Sequence, residues 1–143
     1  MTQARRIPIE KYMSRAQFFA APDESVITAY ERMLEHDVRH LPVLDADKLV
    51  GVLFKSDLKL VHSLSREVLR PIQVQAVMVT EYYTVSPDQA LDVAAREMSK
   101  RKWGSALVVE QGKVVGVFTT TDALRALSDS LTDSLPESMR GAT

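Results

Sequence analysis

The chain repeats itself. One constant shift along the sequence places Met13 on Met78, Pro22-Asp23 on Pro87-Asp88, and Met33 on Met98. The same shift places Val43 on Val108, Lys48 on Lys113, Val50-Gly51-Val52 on Val115-Gly116-Val117, and Asp57 on Asp122, with no gap. Both copies must therefore be one supersecondary unit, and neither can be read alone. A unit of about 50 residues buries too little surface to be stable by itself, so the two copies must share a core.

Each copy reads in the same order. A short segment (residues 17–20 and 82–85) ends at a Pro, and the spacing predicts that this Pro opens a helix. Ser86 and Gln89 stand at capping-box spacing in the second copy. Val26, Ala29, Tyr30, Met33 and Leu34 make one apolar face of a helix that runs to about His36. Leu91, Ala94, Ala95 and Met98 do so in a helix that runs to about Arg101. Two apolar strands follow in each copy, residues 41–44 and 49–54, then 106–109 and 114–119. They are joined by turn-forming residues 45–48 and 110–113. A second helix closes each copy, residues 56–64 and 121–127. The fold class is α+β: two pseudo-symmetric βαββα repeats packed sheet to sheet, with a cleft on either side of the junction. Residues 1–65 hold the first repeat with its lead-in and 66–128 the second; residues 129–143 are expected to be a flexible tail.

Composition removes several function classes. The 143 residues include no cysteine, which excludes disulfides and thiolate chemistry. A net charge of −1 gives no pull toward nucleic acid or an anionic membrane, and the Arg5, Arg6, Lys11, Arg15 cluster reads as a solvated N-terminus. No apolar run approaches the roughly 20 residues of a membrane span, and no signal-peptide pattern follows Arg6, so a cytoplasmic place is expected. There is no Walker loop and no glycine fingerprint after a strand. His36, His40 and His62 lack metal-ligand spacing with one another. No catalytic constellation is visible, so neither an enzyme nor a metal site is expected.

Arg39-His40-Leu41-Pro42-Val43-Leu44-Asp45, then Gly51-Val52 and Ser56-Asp57-Leu58, resemble one cystathionine beta-synthase (CBS) domain. Ser86-Pro87-Asp88, then Ala106-Leu107-Val108-Val109 and Gly116-Val117-Phe118-Thr119-Thr120-Thr121-Asp122, resemble a second. The resemblance covers about residues 8 to 128 and implies a tandem pair, or Bateman module. Such a module is a regulator that binds an adenosine-containing ligand (AMP, ADP, ATP or S-adenosylmethionine) without any obligatory cofactor, and signals to a partner. It further implies a homodimer and an effector protein that the sequence does not identify. Carried over residue by residue, one cleft combines Thr119, Thr121 and Asp122 with Arg39 and His40 of the other repeat. The second combines Lys55, Ser56 and Asp57 with Ser105. There Phe54 stands where the family has Thr or Ser, and Gly104-Ser105 where the first repeat has Arg-His, so it is the weaker site. Thr121-Asp122 and Ser56-Asp57 also suit a helix start that needs only capping. Trp103 reads as a packing or dimer contact, and Tyr82 and Tyr83 as core or interface. The competing reading is a constitutive dimerisation or scaffold module with empty clefts.

Overall fold

A computed structural model describes residues 6–139. The chain folds as β1 (Ser14–Arg15), α1 (Val26–His36), β2 (His40–Asp45), β3 (Lys48–Phe54), α2 (Lys55–His62), α3 (Arg66–Leu69), α4 (Val74–Val77), β4 (Thr84–Val85), α5 (Leu91–Arg101), β5 (Ser105–Glu110), β6 (Lys113–Thr119) and α6 (Thr120–Asp133). Short 3-10 turns stand at Ile9–Lys11 and Glu137–Met139. One sheet has the order β1-β6-β5-β4, the other is the hairpin β2-β3. Single bridges from Ala20 to Val43 and from Val52 to Val79 stand where β4–β5 and β1–β6 stand in the other copy, so the symmetry of the sequence is kept in space. Val52, Leu107 and Val117 pack between the two sheets and make their junction apolar.

Each lead-in segment leaves its own repeat and packs on the other. Ile9 is fully buried with Val85, Ala94, Val108 and Phe118 of the second copy. The linker does the converse: Leu69 and Val74 are buried with Val26, Met33, Leu41 and Leu53 of the first. The break after Ser65 thus divides the sequence repeats but not the cores. Glycine permits the crossing. A Cβ on Gly116 would stand 2.5 Å from Met13 Sδ and 2.9 Å from the Ser14 carbonyl oxygen. On Gly51 it would stand 2.6 Å from Met78 Sδ and 3.0 Å from the Val79 oxygen.

The crossing also moves the helix starts. The helices begin at Val26 and Leu91, one turn after the prolines expected to open them. The backbone there is already engaged: Val74 N donates to Glu24 O and Val26 N to Ile72 O, both at 2.9 Å. In the second copy Ile9 N donates to Gln89 O at 2.9 Å and Leu91 N to Ile7 O at 2.8 Å. A helix beginning at the proline would lose these bonds, and the first-turn N–H groups would need other partners. Ser25 caps α1, whereas Ala90 precedes α5 without a side-chain cap. The expected Ser86–Gln89 capping box does not form, and Ser86 Oγ donates to Asp88 Oδ1 at 2.6 Å instead.

The other boundaries follow local chemistry. The helices stop at left-handed Asp37 (φ 52°) and Lys102 (φ 60°). Each hairpin turns on two positive-φ residues, Ala46-Asp47 and Gln111-Gly112, the two-residue geometry that suits twisted strands. The last helix continues past Leu127 to Asp133, so the first part of the expected tail is helical. The expected fraying at positions 140–143 lies outside the described residues.

Because Ile9 belongs to the second core, Ile9→Ala should destabilise the protein by about 2–5 kcal/mol. Leu34→Ala, at a side chain 52% exposed, should stay within about 0.5 kcal/mol. Urea unfolding followed by circular dichroism checks both.

Candidate ligand cleft

The left-handed turn at Asp37 ends α1 and sends the chain into β2 past Arg39 and His40. Across the junction, β6 ends at Thr119, where α6 begins. A cavity of about 730 Å³ opens between these ends. Arg39, His40, Thr119, Thr121 and Asp122 all line it, so the structure brings together the five residues of the stronger expected cleft. Phe18, Val38, Pro42 and Val117 supply apolar wall beside them.

Asp122 is 4% exposed and its carboxylate is oriented from within its own turn. Oδ2 accepts from Thr119 N at 2.9 Å and from Thr119 Oγ1 at 3.1 Å. Asp122 N donates to Thr119 Oγ1 at 3.3 Å, which completes a capping box. The capping pair is therefore Thr119–Asp122; Thr121 is exposed on the cavity wall. Capping and ligand binding are compatible at Asp122, because a carboxylate has about four acceptor positions and this cap uses two.

His40 sits edge-on to Phe54, with ring centroids 5.2 Å apart. Burial, and secondarily the Arg39 guanidinium, push its pKa below the ordinary histidine value, with Asp122 opposing. Arg39 is exposed, and its backbone oxygen accepts from Lys55 N at 2.9 Å. Among the described residues no acidic side chain forms an ion pair with Arg15, Arg39 or Lys55, and all three line the cavity.

The residues expected at the weaker cleft separate. Lys55 and Ser56 line the same cavity as Arg39. Asp57 is exposed and Ser105 pairs with Thr119 in the β5–β6 ladder; neither lines the cavity. Tyr82 is the repeat counterpart of Gln17 of the cavity wall. It packs on the Val52-Leu107-Val117 layer and donates to Leu49 O at 3.4 Å. Tyr83, the counterpart of Phe18, packs on Trp103 at 5.4 Å. Aromatic side chains thus occupy, on that side, the positions that form wall on this one.

Arg15 and Phe18 were missed by the sequence reading. Arg15 belonged to a cluster read as solvated, yet β1 pairs it with Gly116 and sets it on the cavity. Phe18 stacks on His36 at 3.8 Å. No local signal marks Arg15, because its placement comes from the pairing of β1 with β6 of the other repeat. Among the described residues no group of three or more His, Asp or Glu could hold a metal ion. Nor is any helix there long and apolar enough to cross a membrane.

Comparison with known proteins matches the CBS domain twice, over residues 9–61 and 74–129. The A-adding tRNA nucleotidyltransferase of Aquifex aeolicus is 31% identical over 128 residues, 88% of this chain but 15% of that enzyme. The chain spans 15% to 28% of the length of the curated relatives it matches. Among solved structures, the Vibrio cholerae chain assigned to acetoin utilization (AcuB) has TM-score 0.73 and 28% identity, covering 92% of this chain and 99% of that one. CBSX2, solved with AMP, has TM-score 0.69 and 27% identity over 87% of this chain and 98% of its own. The CBS pair of MJ0100, solved with 5′-methylthioadenosine and S-adenosylmethionine, has TM-score 0.71 and 25% identity over 85% and 99%.

A histidine whose pKa is lowered on folding binds fewer protons folded than unfolded. Its contribution to stability is present above the unfolded value of about 6.5 and is lost as pH falls through the folded value. His40 should therefore titrate below about 6.5 by NMR. The unfolding free energy should fall as pH drops below about 6.5, and His40→Gln should remove part of that fall.

Proposed function

The chain belongs to the CBS-domain family as a tandem pair, and from that premise we propose that it is a regulatory module sensing an adenine nucleotide in the Arg39–Asp122 cleft. The observation that carries this reading is the meeting of Arg39, His40, Thr119, Thr121 and Asp122, from two repeats, on one cavity. The surroundings supply fitting chemical tasks. Asp122 accepts ribose hydroxyls, and the apolar wall of Phe18, Val38, Pro42 and Val117 receives the base. The start of the 14-residue α6 presents N–H groups and the positive end of the helix dipole to phosphate. Arg39 adds charge-assisted hydrogen bonds worth about 1.5–3 kcal/mol each. AMP in CBSX2, and S-adenosylmethionine with 5′-methylthioadenosine in MJ0100, support the ligand class.

The module is not itself an enzyme. Two CBS matches account for residues 9–61 and 74–129, and the relatives named as enzymes are matched over a minor part of their length. Binding shifts the relative angle of the two repeats by as much as the ligand distinguishes between the two arrangements. The Tyr82 packing supports one strong site per chain, with Lys55 and Ser56 serving its rim rather than a second full site.

A second copy of the chain is the partner that fits α6. Leu124, Leu127 and Leu131 are 60%, 53% and 59% exposed at helical spacing, a stripe that a twofold axis can pair with itself. An effector protein receives the signal.

Thermal unfolding with AMP, ADP, ATP and S-adenosylmethionine tests the ligand reading. At about 100 times its dissociation constant a ligand adds roughly 2.7 kcal/mol, a rise of several degrees. Asp122→Ala should abolish that rise while also lowering the baseline by about 0.5–2 kcal/mol through the lost cap. Arg39→Gln should cut the rise for phosphorylated ligands without the baseline loss. No rise with any ligand, in a protein that stays a tight dimer, moves the conclusion to the scaffold reading. The dimer is tested by sedimentation: Leu127→Glu with Leu131→Glu should yield monomers.

A further inference from the structure

Asp57 and Asp122 hold equivalent places in the repeat but have different surroundings. Asp57 is exposed, whereas Asp122 is buried. Both Thr119 bonds fall on Oδ2 of Asp122, and its other oxygen, Oδ1, faces Arg125 Nη2 at 3.5 Å. That separation is an ion pair beyond ordinary hydrogen-bond length, so Oδ1 keeps its acceptor capacity.

Arg125 is held from elsewhere. Its Nη2 donates to the Tyr12 carbonyl oxygen at 2.9 Å, and its guanidinium lies over the Tyr12 ring, 5.5 Å from the centroid. Tyr12 is buried in the second core, and its hydroxyl donates to Asp129 Oδ2 at 2.6 Å. The crossing segment, α6 and the cleft carboxylate are thus joined through one guanidinium. The first repeat lacks the parts for this: Tyr12, Arg125 and Asp129 correspond to Val77, Leu60 and Leu64. The arrangement belongs to the half that carries the buried aspartate.

We infer that Arg125 is a positioning residue of the cleft: anchored on Tyr12 of the crossing segment, it fixes Asp122 Oδ1 as the acceptor for a ribose 2′-hydroxyl and so sets a preference for ribonucleotides over 2′-deoxyribonucleotides. This rests on the nucleotide reading above. Thr119 holds Oδ2 by two hydrogen bonds and the Arg125 charge draws Oδ1 at 3.5 Å, so the carboxylate keeps one orientation and Oδ1 stands ready to accept a hydroxyl. Removing Arg125 leaves one oxygen pinned. The loss falls on the contact to the 2′-hydroxyl and spares the contacts to base and phosphate, which other residues make.

Calorimetric titration of AMP, ADP and ATP against their 2′-deoxy forms tests this in the wild type, Arg125→Gln and Arg125→Lys. The Arg125 side chain is 56% exposed, so both variants should fold, which circular dichroism checks. The wild type should bind the ribonucleotide at least about tenfold more tightly than its deoxy form, a difference of about 1.4 kcal/mol. Arg125→Gln should bring the two within about threefold, and Arg125→Lys should restore most of the ratio. An equal loss for both sugars, or an unchanged ratio in Arg125→Gln, assigns Arg125 a structural role and overturns the inference while leaving the nucleotide reading intact. Equal wild-type affinity for both sugars does the same. A wild type that binds none of the six overturns the inference, and it overturns the ligand reading as well when S-adenosylmethionine also gives no thermal shift.

Discussion

The exchange of lead-in segments between the repeats is the constraint on which the rest of the structure depends. Ile9 fills the second core and Val74 the first, each with no exposed surface. Neither half can therefore keep its core if the other is removed. The apolar junction of Val52, Leu107 and Val117 then has little freedom, because the chain crosses it in both directions. Glycine at 51 and 116 is the local condition for this exchange, since any side chain there would meet a backbone oxygen of the crossing strand.

The same crossing makes the cleft. The strand ending at Arg15 comes from the N-terminal lead-in, yet it lies along β6 and sets Ser14 through Phe18 on the cavity wall. Arg39 and His40 come from the first hairpin, and Thr119 through Asp122 from the second. A ligand in this cavity would touch three pieces of chain drawn from both cores. Its binding energy would act directly on the relation between the repeats, which is what a sensor requires.

Symmetry of the fold and asymmetry of the side chains have separate causes. Backbone features recur in register between the copies: the left-handed helix ends, the positive-φ turns and the strand bridges. These follow from chain geometry and both copies need them. The side chains at equivalent positions beside the cavity and on the opposite side have different surroundings. Tyr82 replaces Gln17 and packs into the junction, Gly104-Ser105 replaces Arg39-His40, and Asp57 is exposed where Asp122 is buried. One side therefore presents charge to a cavity, and the other spends its aromatic side chains on packing.

The repeat, the strand pairs, the hairpin turns and the helix ends at His36 and Arg101 were legible in the sequence. Those features depend on residues close together along the chain: apolar periodicity and the turn chemistry of Asp45 through Lys48 and Glu110 through Lys113. Arg39, His40, Thr119, Thr121 and Asp122 were named through the CBS resemblance rather than from spacing, and the structure sets these five on one cavity, whereas Asp57 and Ser105 stand away from it. The helix starts, the path of the N-terminus and the place of Arg15 were not. Pro22 and Pro87 carry a helix-start signal, but the backbone beside them bonds to segments remote in the chain, at Ile72 through Gln75 and at Ile7 through Glu10. Local sequence decided which elements form and where chains turn. Only the tertiary structure decided which lead-in lies on which core, because that choice is made by long-range burial and backbone pairing between the two copies.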